Sequence, residues 1–196
     1  MKIILDAGHG GIHPMTLQYV TSGKRMVKDD VVFYEGVNNR DNVNRIAEEL
    51  EDLGYEVIKL VDTWRDISLT QRVEEINAIE GKKIVISIHS DANSNGREWN
   101  QAHGMGCFIY TNCSEDTSKL SYSLNNSLIC NFDGIVKNRG IRKANFYILK
   151  YTNCPAVLLE LGFHTNREEV KLMQTEPFKD KVVNSIVEAI QEYEKK

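Results

Sequence analysis

The stretch Lys83-Ile84-Val85-Ile86-Ser87-Ile88-His89 is rich in β-branched residues and has almost no polar interruption. Such a run is typical of a strand that is buried on both faces of a sheet. Two other short apolar runs are of the same kind, Lys2–Asp6 near the start of the chain and Ala156–Leu161 near its end. The sequence therefore predicts three buried strands that are far apart along the chain.

Amphipathic segments lie between these strands. An apolar stripe at helical spacing predicts a helix from about Gly36 to Leu53. Ser68–Gln71 has the form of a capping box and predicts the start of a second helix. The last helix is predicted from about Pro177 to Tyr193. Strands that alternate with helices predict an α/β fold with a mostly parallel sheet, in one domain covering residues 1–196.

Three further segments are predicted to be strands, and one long segment is predicted to be a loop. The strands are Glu56–Val61, Met105–Tyr110 and Phe146–Leu149. Residues 11–34 show no clear period, so we expect a long loop there with a short hairpin around residues 25–33. A loop of this length in a compact domain is often functional.

The composition argues against several classes of protein. The chain has 196 residues, of which 41% are hydrophobic and 27% are charged, with a net charge of −4. The acidic balance lacks the basic footprint of a nucleic-acid binder, so we expect no nucleic-acid partner. No apolar run approaches the about 20 residues of a membrane span, and no signal peptide is visible, so we expect no membrane insertion and synthesis in the cytoplasm.

Four residues with catalytic chemistry lie at the ends of predicted elements. His9 and His89 follow buried strands, Glu160 closes another, and Glu35 stands where the long loop enters the first helix. Two imidazoles and one carboxylate are a common ligand set of catalytic zinc, and such a site also needs a general base. Taken singly, each residue also has an ordinary structural explanation. The histidines could be satisfied structural residues, Glu35 a favourable charge at a helix N-terminus, and Glu160 the partner of a buried arginine.

Local motifs favour the catalytic interpretation. Asp6–Gly11 (DAGHGG), Ser87–Ala92 (SIHSDA) and Leu159–Phe163 (LELGF) occur in this order along the chain. Together they resemble the zinc-dependent N-acetylmuramoyl-L-alanine amidases of the Amidase_3 family. Arg65 with Ser68–Arg72 (SLTQR), and Gly140–Leu149, are similar to two further stretches of that family. The resemblance covers nearly the whole chain.

The resemblance implies a fold, a cofactor and a reaction. The fold would be a single α/β domain with a roughly six-stranded mixed sheet and helices on both faces. His9, Glu35 and His89 would bind one zinc ion, and Glu160 would be the catalytic carboxylate. The family hydrolyses the amide between N-acetylmuramic acid and the L-alanine of the peptidoglycan stem peptide. The substrate partner would therefore be bacterial peptidoglycan.

This sequence departs from the usual pattern of the family in the long loop. The segment Met15–Phe33 lengthens the gap between the first histidine and the glutamate, and it brings two other carboxylates, Asp29 and Asp30, near that position. We expect Glu35 to be the ligand because Glu35-Gly36 leads directly into the predicted amphipathic helix.

Residues for substrate contact are assigned less directly. We expect Asn93 and Arg142 to contact the substrate, with Arg142 as a possible bidentate donor to a stem-peptide carboxylate. Trp64 and Trp99 could stack on a sugar. Three histidines are expected to be solvent-exposed loop residues: His13, His103 and His164.

The absence of a visible signal peptide favours a phage endolysin that acts at the cell wall after release from the cytoplasm. Many endolysins have a wall-binding module, so a separate or truncated module is expected. Two alternatives stay open: another zinc-dependent amide hydrolase, such as a carboxypeptidase or deacylase, and an inactive wall-binding module of the same fold.

Overall fold

The computed structural model describes residues 1–94 and 96–195. In this part of the chain, strands and helices alternate for most of its length. Their order is β1 (Lys2–Ala7), β2 (Arg25–Lys28), β3 (Val31–Tyr34), α1 (Glu35–Asp52), β4 (Glu56–Lys59), α2 (Leu69–Ala78), β5 (Lys83–Asp91), β6 (Met105–Ile109), α3 (Glu115–Phe132), β7 (Asn138–Lys143), α4 (Tyr147–Tyr151), β8 (Ala156–Phe163), α5 (Arg167–Met173) and α6 (Glu176–Glu194).

Six strands form one mixed sheet in the order β4-β1-β5-β8-β6-β7. All neighbouring strands are parallel except β6 and β8, which are antiparallel. The three buried strands predicted from sequence, β1, β5 and β8, lie side by side in the centre. The predicted α/β class, with a six-stranded and mostly parallel sheet, is confirmed.

Long helices cover one face of this sheet. α1, α3 and α6 pack there over alternate strand residues, among them Ile3, Leu5, Ile86 and Leu159, which are all fully buried. Each buried aliphatic side chain contributes about 1.5–3 kcal/mol through removal from water. This face therefore supplies the larger core of the molecule.

Short helices cover only part of the opposite face. α2 and α4 pack over Ile4, Val85 and Leu158, which alternate with the residues of the larger core. Side chains two positions apart in a strand share a face, so Asp6, Ser87 and Glu160 point to this second side as well. His89 follows Ser87 with the same spacing. The polar residues at the ends of the central strands thus lie on the sparsely covered face.

The long segment between β1 and α1 contains the expected hairpin. β2 and β3 pair antiparallel, with Lys28 opposite Val31. Asp29 and Asp30 form the two-residue turn, and both have positive φ, 50° and 62°. A turn with two left-handed residues matches the twist of a hairpin, and aspartate tolerates this conformation.

One expectation for local structure is wrong, and one strand was not predicted. Phe146–Leu149 is not a strand, because Tyr147–Tyr151 forms the short helix α4, which buries Ile148 and Leu149. A short apolar run does not distinguish a strand from one turn of buried helix. The sixth strand is instead β7, whose sequence NRGIRK lacks an apolar run because it is a partly exposed edge strand.

Among the described helices, none is both long and apolar enough to cross a membrane.

Candidate active site and metal centre

The loop after β1 brings His9 to the edge of the sheet in a constrained conformation. His9 has φ 64°, in the left-handed region that non-glycine residues rarely occupy. Asn39 of α1 donates a hydrogen bond to the carbonyl of Gly8 at 3.2 Å and ties the loop to that helix. A Cβ atom on Gly8 would lie 2.2 Å from Cε1 of His89, so only glycine leaves room for this ring.

Three side chains meet at this edge of the sheet. Glu35 Oε1 lies 3.3 Å from His9 Nε2 and 3.3 Å from His89 Nδ1. The two imidazole rings stand nearly perpendicular, with centroids 5.1 Å apart. One ligand atom from each of the three residues falls within 4.8 Å of the others, as a shared metal ion would require. The structure thus brings together the three residues that the sequence assigned to a metal site.

The other carboxylates of the long loop do not join this group. Asp29 and Asp30 occupy the hairpin turn, and Asp29 Oδ2 accepts a hydrogen bond from the indole of Trp99 at 2.9 Å. Glu35, by contrast, is the first residue of α1 and is only 1% exposed. The geometry favours Glu35 as the third ligand.

The electrostatics of Glu35 fit a site for a cation. Burial raises the pKa of this carboxyl, but the contacts with His89 and His9 outweigh burial and hold its pKa well below the usual value. Two buried atoms, Glu35 Oε2 and His9 Nε2, have no hydrogen-bond partner among the described residues. Both atoms still lie near other groups of the site, since His9 Nε2 is 3.3 Å from Glu35 Oε1 and Glu35 Oε2 is 3.7 Å from His164 Nδ1. Buried polar atoms are normally hydrogen-bonded, so these two atoms are suited to bind a ligand.

Glu160 stands beside this group on the neighbouring strand. It is paired with His89 in the register of β5 and β8. Its Oε2 atom is buried and has no hydrogen-bond partner within residues 1–94 and 96–195. Burial raises the pKa of Glu160 to about 8, although His89 opposes the shift. Within the described residues no arginine is hydrogen-bonded to this oxygen, although the charge of the buried Arg139 is close enough to lower the pKa of Glu160.

A buried ion-pair network connects the elements that carry the two histidines. Asp6 accepts hydrogen bonds from Arg72 and, at 2.5 Å, from Ser87 Oγ. Arg72 Nη1 also donates to the carbonyl of Ala7 at 2.8 Å. Because Arg72 belongs to α2, this network joins that helix to β1 and β5 immediately before their two histidines.

His164 was expected to be exposed, and this expectation is wrong. Its side chain is fully buried, because β8 continues to Phe163 and the next residue turns inward. Its Nδ1 atom lies 3.7 Å from Glu35 Oε2 and 3.2 Å from the carbonyl of Ser90. His164 therefore lies next to Glu35, in the buried layer that adjoins the group formed by His9, Glu35 and His89. Its position directly after the buried LELGF run could have indicated this.

Arg139 is a second residue that sequence reasoning missed. It is 10% exposed, its Nη1 atom bonds Asp91 Oδ2 at 2.8 Å, and its guanidinium lies 4.5 Å from the ring centre of Phe163. Arg139 belongs to β7, which was not predicted. The position of its side chain near the site could therefore not be predicted either.

A cavity of about 690 Å³ opens over these residues on the sparsely covered face. His9, His89 and Glu160 lie in its wall. The other lining residues are Asp6, Lys24, Asp66, Ile67, Ser68, Leu69, Arg72, Asp91, Phe146, Tyr147, Ile148 and Leu158.

The expected substrate residues lie outside this lining. Asn93 and Arg142 are both exposed; the backbone N–H of Asn93 donates to Thr165 Oγ1, and Arg142 Nε donates to the carbonyl of Arg139. Trp64 packs edge-on against His13, which is partly exposed. His103 is exposed, as expected.

Comparisons with known proteins agree with this arrangement. The family model Amidase_3, described as N-acetylmuramoyl-L-alanine amidase, matches residues 3–192. The crystal structure of the N-acetylmuramoyl-L-alanine amidase from Clostridium difficile 630 has a TM-score of 0.85 at 25% identity, covering 99% of this chain and 96% of that one.

Curated relatives extend the comparison to longer proteins. The endolysin of Bacillus phage SPP1 is 25% identical over 96% of this chain and 64% of its own length. The probable cell wall amidase LytH of Staphylococcus epidermidis (strain ATCC 12228 / FDA PCI 1200) is 25% identical over 97% of this chain and 57% of its own length. The chain thus spans less than two thirds of both relatives.

The family match includes all three motifs on which the resemblance rested, and the prediction of this enzyme class is confirmed. The chain belongs to the Amidase_3 family of N-acetylmuramoyl-L-alanine amidases.

Proposed function

We propose that this protein hydrolyses the amide between N-acetylmuramic acid and L-alanine in bacterial peptidoglycan, with one zinc ion bound by His9, Glu35 and His89. The convergence of two imidazoles and a buried carboxylate within 4.8 Å carries the proposal. The unpaired buried atoms of His9 and Glu35 support it, because they fit ligands better than structural side chains.

The donor set agrees with catalytic zinc, which takes three protein ligands and keeps one position open. A bound zinc ion would lower the pKa of a water molecule and polarise the carbonyl of the substrate. His9 and His89 present their ring nitrogens from separate strand ends, and Glu35 balances the charge from the start of α1.

Glu160 has the position and the environment of the general acid–base residue. Its Oε2 atom has no hydrogen-bond partner among the described residues, and the side chain lines the same cavity as His9 and His89. Burial raises its pKa to about 8, which suits it to hold a proton, and a positive zinc ion bound nearby would favour the ionised form that accepts one. In the proposed reaction Glu160 accepts a proton from the attacking water. It then gives a proton to the nitrogen of the departing L-alanine.

The biological setting that we propose is cell-wall lysis by an enzyme of the endolysin type. The similarity to the endolysin of Bacillus phage SPP1 supports this role. Asn93 and Arg142 are proposed as outer contacts of a long glycan-peptide substrate, because both side chains are exposed.

Product analysis tests the proposed reaction. Digestion of purified peptidoglycan by the zinc-loaded enzyme is expected to release new N-terminal alanine without new reducing sugar ends. Glu160→Gln keeps the shape of the side chain but cannot accept the proton, so we expect the rate to fall by about 10²–10⁴-fold. New reducing ends without alanine would contradict the amidase. A different N-terminal residue would point to another peptidase, and undiminished activity of Glu160→Gln would remove the role of Glu160.

A further inference from the structure

Most charged side chains that line the cavity already have partners. Asp6 is paired with Arg72, and Asp66 is bonded to Thr21 and lies 3.6 Å from Arg72. Asp91 is paired with Arg139 at 2.8 Å. These contacts set two arginines against three carboxylates, so they offset most of the negative charge of these side chains.

Lys24 is different from these residues. It lines the same cavity as His9 and His89, and its side chain is half-buried. Within residues 1–94 and 96–195, its ammonium group has neither an ion pair nor a hydrogen bond. A positive charge that faces a partly enclosed cavity without a partner is suited to bind an anionic group of a ligand.

The fold fixes the backbone of Lys24 close to the proposed metal ligands. Its carbonyl accepts a hydrogen bond from the backbone N–H of Glu35 at 3.1 Å. The next pair of residues, Arg25 and Tyr34, begins the pairing of β2 with β3. The lysine is therefore held beside the start of α1, and a ligand group bound by it would lie near the reacting amide.

Another part of the cavity lining is apolar. Leu69 of α2, and Phe146 and Tyr147 at the start of α4, are 51%, 40% and 37% exposed. None of these side chains could balance the charge of an anionic ligand. Lys24 is thus the cationic side chain of the lining that remains available, since Arg72 is committed to Asp6.

The proposed substrate has an anionic group near its scissile bond. In the stem peptide, L-alanine is followed by D-glutamate that is linked through its γ-carboxyl, so its α-carboxyl is either a free carboxylate or an amide. We propose that Lys24 binds this free α-carboxylate and makes the enzyme prefer stem peptides in which the group is not amidated. This inference rests on the proposed function, because it places the scissile amide at the cluster of His9, Glu35 and His89.

A matched pair of substrates tests the inference. N-acetylmuramoyl-L-alanyl-γ-D-glutamyl-L-lysine and the corresponding compound with an amidated glutamyl α-carboxyl differ only in this carboxyl group. We expect kcat/KM of the wild-type enzyme to be about five- to tenfold higher for the carboxylate, mainly through KM. Lys24→Met should abolish the preference, so that kcat/KM becomes equal for the two substrates. Arg25→Met is the control, because Arg25 is exposed and is not part of the cavity lining, and it should keep the preference.

Two results would overturn the inference: equal kcat/KM of the wild-type enzyme for the two substrates, or an unchanged preference in Lys24→Met. Calorimetric binding of L-alanyl-D-glutamate and of its α-amide, L-alanyl-D-isoglutamine, separates this failure from that of the proposed function. If neither substrate is cleaved but the acidic dipeptide binds more tightly and only when Lys24 is present, the proposed reaction is wrong and the carboxylate site stands. If the dipeptides bind equally, the carboxylate site is wrong.

Discussion

At the scale of single residues, Glu35 is the centre of the site. One of its carboxylate oxygens faces both imidazoles at 3.3 Å, while the other has no hydrogen bond among the described residues. A buried carboxylate is unfavourable unless charge or hydrogen bonds compensate it. The two histidines provide part of that compensation, and a metal ion would complete it.

Removal of one imidazole is expected to empty the proposed metal site. We expect His89→Ala to reduce bound zinc from about one ion per chain to less than about one tenth, because only two protein ligands remain. Elemental analysis of dialysed protein measures this. His103→Ala is the matched control, since His103 is exposed and outside the cluster, and should retain its zinc. Unchanged zinc in His89→Ala would show that His89 is not a ligand.

The sequence was sufficient for some residues of the site and insufficient for others. His9, His89 and Glu160 follow apolar strands, so their position at one edge of the sheet could be predicted. His164 directly follows the buried LELGF run, which indicates burial but does not indicate a contact with Glu35. The contact between His164 and Glu35 joins residues that are far apart in the sequence, so only the structure shows it.

At the scale of elements, the hydrophobic pattern predicts what is buried better than how it is arranged. β1, β5 and β8 were found from their apolar runs, and α1 and α6 from helical spacing. β7 is polar and lies at the edge, so it gives no such signal. α4 has the apolar residues of a strand but uses them to cover the smaller core as a helix.

Polar contacts join α1 to α6 and provide a test at this scale. Asp41 Oδ2 of α1 lies 2.6 Å from Lys179 Nζ of α6, and Asp41 Oδ1 lies 3.1 Å from Arg45 Nε. Burial raises the pKa of Asp41, but the hydrogen bonds with Lys179 and Arg45 outweigh it and hold the pKa below the usual value. The ionised form is therefore the one that stabilises the fold.

Because the pKa of Asp41 is lowered in the folded state, the stability of the protein depends on pH. A lowered pKa in the folded state means that the stabilisation is fully present above about pH 4 and is lost as the pH falls through the folded-state pKa. We expect Asp41→Asn to lower the free energy of unfolding by about 0.5–1 kcal/mol at pH 7, since Asp41 is 37% exposed and solvent screens the pair. At pH 2–3 the difference should be smaller.

Urea denaturation at both pH values measures this difference. Glu48→Gln removes an exposed carboxylate from the same helix and is the control, with an expected change near zero. An equal loss for Asp41→Asn at pH 7 and pH 2–3 would contradict a role for the charge.

At the scale of the whole molecule, the proposed metal joins segments that are distant in sequence. Its ligands come from the loop after β1, the start of α1 and the end of β5. A ligand that binds only the folded state stabilises it by about 2.7 kcal/mol at a hundredfold excess over its Kd. Bound zinc should therefore hold these three elements together.

Removal of the metal is expected to lower Tm. For a domain of this size, the loss of about 2.7 kcal/mol of stabilisation corresponds to a decrease in Tm of about 5–10 °C. Thermal unfolding followed by circular dichroism, before and after chelation, measures the shift. Added Zn²⁺ should restore Tm, whereas Mg²⁺ should not, because it prefers oxygen ligands. Identical Tm values with and without chelator would contradict a metal that links these segments.

The alternation of side chains along the central strands also links the stability of the fold to the assembly of the site. The residues that point towards the cavity, such as Glu160, alternate with residues of the larger core, such as Leu159 and Leu161. A slip of β8 by one position would turn every side chain to the other face, placing Glu160 in the apolar core and the leucines in the cavity. Such a chain would lose its core together with its active site. The stability of the fold and the correct assembly of the site therefore depend on the same strand register, so a chain with a misplaced β8 would lose both together.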